Sequence, residues 1–430
     1  MLPSAARGLP AVFWWIWASL LINWLGAFAG PMLAFSLTAD RGYSASYTGF
    51  VVSLLGLGSI VGNALGGILA DRYGRRLTLV SGHVWTAVSM AALGLVQDRP
   101  AVAAATFAVG VGTGVVRPAA GAALADVVHS VDRQRAFALN YWAVNAGMAV
   151  SAVLAGLMVT QGYTLLFLAD AGTTLLCALV VLAKVPETLP GRTAPGAARA
   201  AAVQETSREP EGAQEVRKAV LIRQDRSFVL FTLLTLFFAL AFEQRSGSLA
   251  MVMAAQGHSP RLFSLLNGVN AALVVVVQIP LTRLMSRGPK GRALWAGGTF
   301  VGAGFALTAF AGSPGLYVAA VVVWTFGEML QAPAASAVVA ERAPAQQRGR
   351  YLGVYAAAWS AAAFLGPISG GWILDRWGGT TLWTLCAVLG GAAGCGWLLI
   401  TRTQDFRTAP VVREGGGTPL PRITTDGNRA

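Results

Sequence analysis

Twelve apolar runs, each long enough to cross a bilayer as a helix, dominate this 430-residue chain. A span needs roughly 20 consecutive apolar residues. The runs fall at 12–38, 45–70, 77–96, 100–124, 134–158, 163–183, 228–254, 260–284, 292–311, 314–339, 350–373 and 380–401. In hydrocarbon a segment must satisfy its own backbone polar groups, so these runs are expected to be helices. Charged residues make up only 12% of the chain, against roughly 25% in soluble domains. That is too little charge to cover a water-exposed surface, and it also excludes disorder. The 51 glycines show no three-residue period, which excludes collagen. Arg7 precedes the first run, but that run exceeds 20 residues and more spans follow, so a first span is expected rather than a cleaved leader.

The charge is one-sided. With the N-terminus placed inside the cell, 26 of the 32 Lys and Arg fall on the cytoplasmic side. The opposite side receives only Arg41, Arg99, Arg261 and Arg376, and Arg117 and Arg245 fall within spans. This bias in short loops is the positive-inside pattern. It predicts a multi-pass protein of the cell membrane with both termini cytoplasmic. It also accounts for the net charge of +13 by a basic membrane rim, so the lipid bilayer and not nucleic acid is the expected partner. Cys177, Cys386 and Cys395 are far apart, as are His83, His129 and His258, so no disulfide framework, metal site or cofactor is expected.

The spans divide six and six. The expected organisation is a first bundle at 1–185, a cytoplasmic loop at 186–226, a second bundle at 227–402 and a disordered tail at 403–430. An offset of 213 residues pairs Gly114 with Gly327, Gln134-Arg135 with Gln347-Arg348 and Gly67 with Pro280, each at the corresponding place in its half.

One motif closes the second run: Gly67-Ile68-Leu69-Ala70-Asp71-Arg72-Tyr73-Gly74-Arg75-Arg76. Gly67 is expected to allow close helix approach, and Gly74 a tight turn. Asp71 sits at a helix C-terminus, which is unfavourable unless a cation pairs with it. Together with Arg72, Arg75 and Arg76 it reads as a charge latch between helix ends. The alternative is a plain basic loop.

This run resembles the signature of the major facilitator superfamily. The twelve spans, the central loop and Pro186-Glu187-Thr188 extend the resemblance over essentially the whole chain. The corresponding second-half loop, Pro280 to Arg292, is degenerate, with Ser286 near the place of the acid. Gly114-Val115-Val116-Arg117-Pro118, Asn140 to Gly147, Gly327 to Pro333 and Leu365 to Gly371 look like the bacterial drug-efflux branch, although Ser151 and Ala152 replace its expected Gly-Pro pair in span five. The resemblance implies an all-α membrane protein with two pseudo-symmetric six-helix bundles around a cavity. It implies a small-molecule substrate, protons as the coupling ion, and export of hydrophobic drugs or metabolites by alternating access.

Charges inside a membrane are expensive and are functional candidates by default. Glu328, Glu243 and Asp170 are the candidate proton carriers, with Arg117 as a charge partner. Burial favours the protonated acid and a nearby arginine the carboxylate, so a change of partner can couple protonation to movement. Glu243 and Arg245 are two apart and are not expected to share a helix face. Static helix–helix glue is the alternative role for all of these. Asn23, Tyr141, Trp142, Asn145, Gln244, Asn267, Asn270 and Trp324 are candidates to line the cavity, since aromatic rings with a few amides suit an amphipathic organic compound. Gly30-Pro31 and Gly366-Pro367 are expected to bend spans one and eleven. Gly110-Val111-Gly112-Thr113-Gly114 lies inside an apolar run, so it is read as a packing surface and not as a nucleotide loop. No nucleophile–base–orienter set is visible, so no enzymatic chemistry is expected. Two other functions stay open: an importer or facilitator of sugars or organic anions, and a receptor or scaffold that transports nothing. The oligomeric state is left open.

Overall fold

The structure, a computed structural model, describes residues 8–129, 132–189, 225–285, 288–343 and 348–403. Most of the central loop, most of the tail, and Ser286 and Gln347 therefore lie outside the described residues. Among those described, the regular structure is helical throughout. Span one comes in two pieces, Ala11–Leu25 and Ala29–Phe35, the second continued by a π-turn at Ser36–Asp40. Spans two to six are Ala45–Tyr73, Arg75–Leu95, Arg99–Val127, Arg133–Met158 and Tyr163–Lys184. Span seven is also broken, into Arg226–Glu243 and Ser248–Ala255. Spans eight to ten are Pro260–Met285, Lys290–Ala309 and Pro314–Arg342. Arg348–Arg402 holds spans eleven and twelve, joined at Gly378, whose φ of 77° and ψ of 176° are not helical.

Among the described residues, ten helices are long and apolar enough to cross a membrane, one of them being the joined pair. Lys290–Ala309 falls outside that set because five glycines, Lys290 and Arg292 dilute its apolar content. With it and with the pair counted separately, the spans number twelve.

The break in span one lies at 26–28, upstream of Gly30-Pro31. There the Asp170 carboxylate accepts a hydrogen bond from the Ala29 N–H at 3.0 Å and caps the second piece. In span eleven the helix continues through Gly366-Pro367.

Within the halves, small residues let backbones meet. Gly58, Gly62 and Gly66 of span two lie against Gly110, Val111, Gly114 and Val115 of span four. The Gly110–Gly114 run is thus a packing surface, as its setting predicts. The expectation for Gly67 fails: it is its neighbour Gly66 that faces span four, whereas a side chain at Gly67 would meet open space. One residue turns a helix face by about 100°, given 3.6 residues per turn. Gly298 and Gly302 of span nine make the same kind of seam with Gly390 and Gly394 of span twelve. The paired glycines of the 213-residue offset have different neighbours: Gly114 lies on span two, and Gly327 on span nine.

The two halves touch unevenly. Call the end that carries Arg72, Arg75 and Arg76 the basic end, and the other the far end. Spans two and eleven run antiparallel, with Gly49 against Pro367, Gly56 against Ala363 and Gly371 against Ala45. Spans five and eight meet at Gly156 and Ser264, and Phe35 of span one meets Phe263 of span eight. Toward the basic end, Gly67 and Gly353 of the same spans two and eleven have open space beside them. The halves converge at the far end and part toward the basic end.

Each half is tied at its basic rim. In the first, Arg75 pairs with Asp71 at 3.2 Å and with Asp126 at 2.9 Å. Glu187 accepts the backbone N–H groups of Arg75 at 2.8 Å and Arg76 at 3.3 Å, so the Pro186-Glu187-Thr188 segment caps span three. Arg76 reaches the Leu182 carbonyl. Gly74 has φ of 105°, and a Cβ there would strike the Glu187 carboxylate. In the second half Asp225, buried before span seven, accepts two hydrogen bonds from Arg342 at 2.7 and 3.0 Å. It also accepts one from the Tyr351 hydroxyl and one from the Phe228 N–H, each at 3.1 Å.

Candidate functional site

A cavity of about 590 Å3 lies between the halves. Span one contributes Trp24, Gly30 and Pro31 to its wall, span two Ser59 and Asn63, and span four Arg117. From the second half come Glu243, Arg245 and Ser246 of span seven, Asn267 and Asn270 of span eight, and Trp359 and Pro367 of span eleven. The wall mixes aromatic rings, amides and three ionisable groups. It suits an organic compound with both apolar and polar parts. Two further cavities of about 560 and 520 Å3 lie at the basic rim and the far end. Neither contains the intramembrane charges of the spans.

The break in span seven builds the charged wall. Glu243 ends one helical piece, turns occupy 244–247, and the next piece starts at Ser248. The helical face rule therefore does not hold for Glu243 and Arg245, and both line the cavity. Gln244, expected in the cavity, is buried instead and holds the break in place. Its amide donates to the carbonyls of Leu240 at 3.1 Å and Gly366 at 2.8 Å, and it accepts from Ser248 at 2.6 Å. Arg245 lies over the rings of Phe242 at 4.5 Å and Trp324 at 5.8 Å. Its Nε is buried without a hydrogen-bond partner among the described residues.

Glu328 lies just behind the wall, where its carboxylate accepts from the Asn270 amide at 3.0 Å. The same amide donates to Thr325 at 3.0 Å. Glu243 is within electrostatic reach of both Arg245 and Glu328. Arg117 lines the cavity but makes no salt bridge with either carboxylate.

The other expected site residues divide. Asn267 lines the wall, with its amide donating to the Phe263 carbonyl at 2.9 Å. Trp324 is buried behind the wall, edge-on to Phe242. Tyr141 is exposed and lies within electrostatic reach of Glu328, while Asn145 donates to the Tyr141 carbonyl at 2.8 Å. Neither belongs to the cavity wall, nor do Trp142 and Asn23. Asp170 is buried away from the cavity, and its hydrogen bonds to Ala29 and Thr174 give it a capping role. Arg245, Asn63, Trp24 and Trp359 were not expected. For Arg245 the signal was present: a charge in an apolar run two residues before Gly247.

Two helical halves around a polar cavity, joined at one end and parted at the other, define a membrane transporter. The comparisons with known proteins agree. The Major Facilitator Superfamily model matches residues 16–367 and again 245–424. The chain belongs to the Major Facilitator Superfamily. It is 29% identical to the uncharacterized MFS-type transporter YttB of Bacillus subtilis (strain 168), over 84% of this chain and 87% of that one. It is 24% identical to multidrug resistance protein MdtH of Salmonella typhimurium (strain LT2), over 86% of this chain and 88% of that one. Its fold matches the crystal structure of a peptide transporter, POT, in complex with sulfate. There the TM-score is 0.75 at 16% identity, covering 93% of this chain and 96% of the other.

Proposed function

We propose that this chain is a proton antiporter of the cell membrane that exports amphipathic drugs or metabolites by alternating access. The observation that carries the reading is the set Glu243, Arg245 and Arg117. All three face the inter-half cavity, and none has a salt bridge among the described residues. Such charges are costly in a membrane, and those that face a cavity mark substrate paths and proton relays. Glu243, next to Arg245 and Glu328, is the proton carrier in this reading. Asn270 lines the cavity and donates to Glu328, which ties that second carboxylate to the wall. Similarity to a multidrug resistance protein favours the drug class. With the basic rim in the cytoplasm, the structure corresponds to the inward-open form.

The test is uptake of drugs or dyes by inverted vesicles under an imposed proton gradient. Gradient-driven uptake, abolished by Glu243→Gln and reduced by Glu328→Gln, supports the reading. Uptake indifferent to the gradient and to both variants refutes the proton coupling. Cysteine labelling that placed the Arg72–Arg76 loop outside the cell would refute the orientation.

A second reading has its own observation. Two arginines, Arg117 and Arg245, face the cavity against one lining carboxylate. This favours an organic anion as substrate, in which case the chain is an importer or facilitator. Concentrative uptake of aromatic carboxylates by right-side-out vesicles, lost in Arg245→Gln, would select it.

A further inference from the structure

The motif that ends span two recurs at the end of span eleven. Gly370-Gly371-Trp372-Ile373-Leu374-Asp375-Arg376-Trp377-Gly378 repeats Gly66-Gly67-Ile68-Leu69-Ala70-Asp71-Arg72-Tyr73-Gly74. The two glycines, the Asp-Arg pair and the last glycine are identical, and an aromatic residue precedes that last glycine in both. The offset is 304 residues, so this is not the half-to-half repeat of 213. The backbones agree as well: Gly74 and Gly378 both have positive φ, 105° and 77°, with extended ψ of 157° and 176°. The two copies stand at opposite ends of the molecule, because spans two and eleven run antiparallel.

The two aspartates differ in what they hold. Asp71 at the parted end is 75% exposed and pairs with Arg75 of its own half. Asp375 at the joined end reaches across to the other half. Its two carboxylate oxygens accept the backbone N–H groups of Ala45 at 3.1 Å and Ser46 at 2.7 Å. Ser44 caps the next free donor, the Tyr47 N–H, at 3.2 Å. The first turn of span two is thus capped in part by its own serine and in part by a carboxylate of the opposite half. A carboxylate suits that place twice over, satisfying orphan N–H groups and the positive end of the helix dipole. Asp375 is exposed and borders the far-end cavity, so water can replace these bonds when the halves part.

We propose that Asp375 is a far-end latch, whose hydrogen bonds to the start of span two hold the halves together there and must break for that end to open. The inference rests on the alternating-access reading. It adds a named residue on the face opposite the Asp71 motif.

Hydrogen–deuterium exchange of the full chain in lipid nanodiscs tests it. Wild type is compared with Asp375→Ala, Asp375→Asn and Gly49→Ala. The last wedges the same interface without touching the carboxylate. The latch predicts about tenfold faster exchange at Ala45 and Ser46 in Asp375→Ala, in line with the loss of charge-assisted bonds. It also predicts faster exchange across 363–375 and slower exchange at 65–73 and 350–356, as the basic end closes. Asp375→Asn should fall between wild type and Asp375→Ala. A change confined to Ala45 and Ser46 means a simple helix cap and overturns the latch. Opposite shifts at the two ends in Gly49→Ala but not in Asp375→Ala overturn the latch and leave alternating access standing. Opposite shifts in neither variant overturn both.

Discussion

Replacing Asp225 by alanine should destabilise the second half far more than most single substitutions. The carboxylate is nearly inaccessible, at 1% side-chain exposure, and Arg342 beside it is at 6%. It accepts two charge-assisted bonds from Arg342, one from Tyr351 and one from the Phe228 N–H. Removing one partner of a buried pair costs about 3–5 kcal/mol. Loss of the helix cap contributes about 1 kcal/mol. These share one carboxylate and are not additive, so about 4 kcal/mol is expected. For a unit of some 150–250 residues this corresponds to a fall in Tm of about 8–16 °C. Cys386 provides the readout, because it is buried in the second half. In detergent, a thiol-reactive dye should reach it at a lower temperature in Asp225→Ala. Cys177, buried in the first half, should respond less. The double variant Asp225→Ala/Arg342→Met should recover much of the loss, since an apolar pair no longer strands a charge. A single variant that melts within about 1 °C of wild type refutes the reasoning, as does a double variant that melts lower than the single.

Three further outcomes are expected. Gly62→Ala should lower stability by about 1–3 kcal/mol, because its Cβ would meet the Val111 carbonyl, whereas Gly67→Ala, within a helix and facing open space, should leave melting no lower than wild type. Gly74→Ala should destabilise by a similar amount, since its φ of 105° disfavours an L side chain and Glu187 fills the space; thermal melts beside Glu187→Ala would separate the two causes. A lipophilic maleimide should label Cys395 in the folded protein and spare Cys177 and Cys386 until it unfolds, which mass spectrometry of the labelled peptides would show.

The helical architecture was legible because a span in hydrocarbon has few alternatives to a helix. The motif around Asp71 was legible for a similar reason: acid, arginines and glycine have few joint uses at a helix end. What escaped were features set by tertiary contact. The choice between Gly66 and Gly67 depends on helix rotation, which an apolar run all round does not specify. The placing of Glu243 and Arg245 on one cavity wall depends on a break that local spacing treats as continuous helix. Gln244 was expected in the cavity for its polarity, but a polar side chain serves a broken helix equally well by satisfying freed carbonyls. That Asp170 accepts from the Ala29 N–H depends on the break in span one, which the run around Asp170 does not show. Asp225 lay in the hydrophilic stretch before span seven, where nothing local distinguishes it from the neighbouring charges.

Span two presents glycines in two stripes with opposite duties. Gly58, Gly62 and Gly66 lie in a seam within one half, so bulk added there is a wedge that the protein carries through every stage of its cycle. Gly49 and Gly56 lie on span eleven, across a boundary that opens and closes in the proposed alternating-access cycle. Bulk added there is a doorstop, felt in one form and absent from the other. A penalty of about 2 kcal/mol confined to one form shifts the balance between forms some thirtyfold without unfolding either. Tolerance to side-chain size along this one helix therefore distinguishes the joints that are welded from those that are hinged.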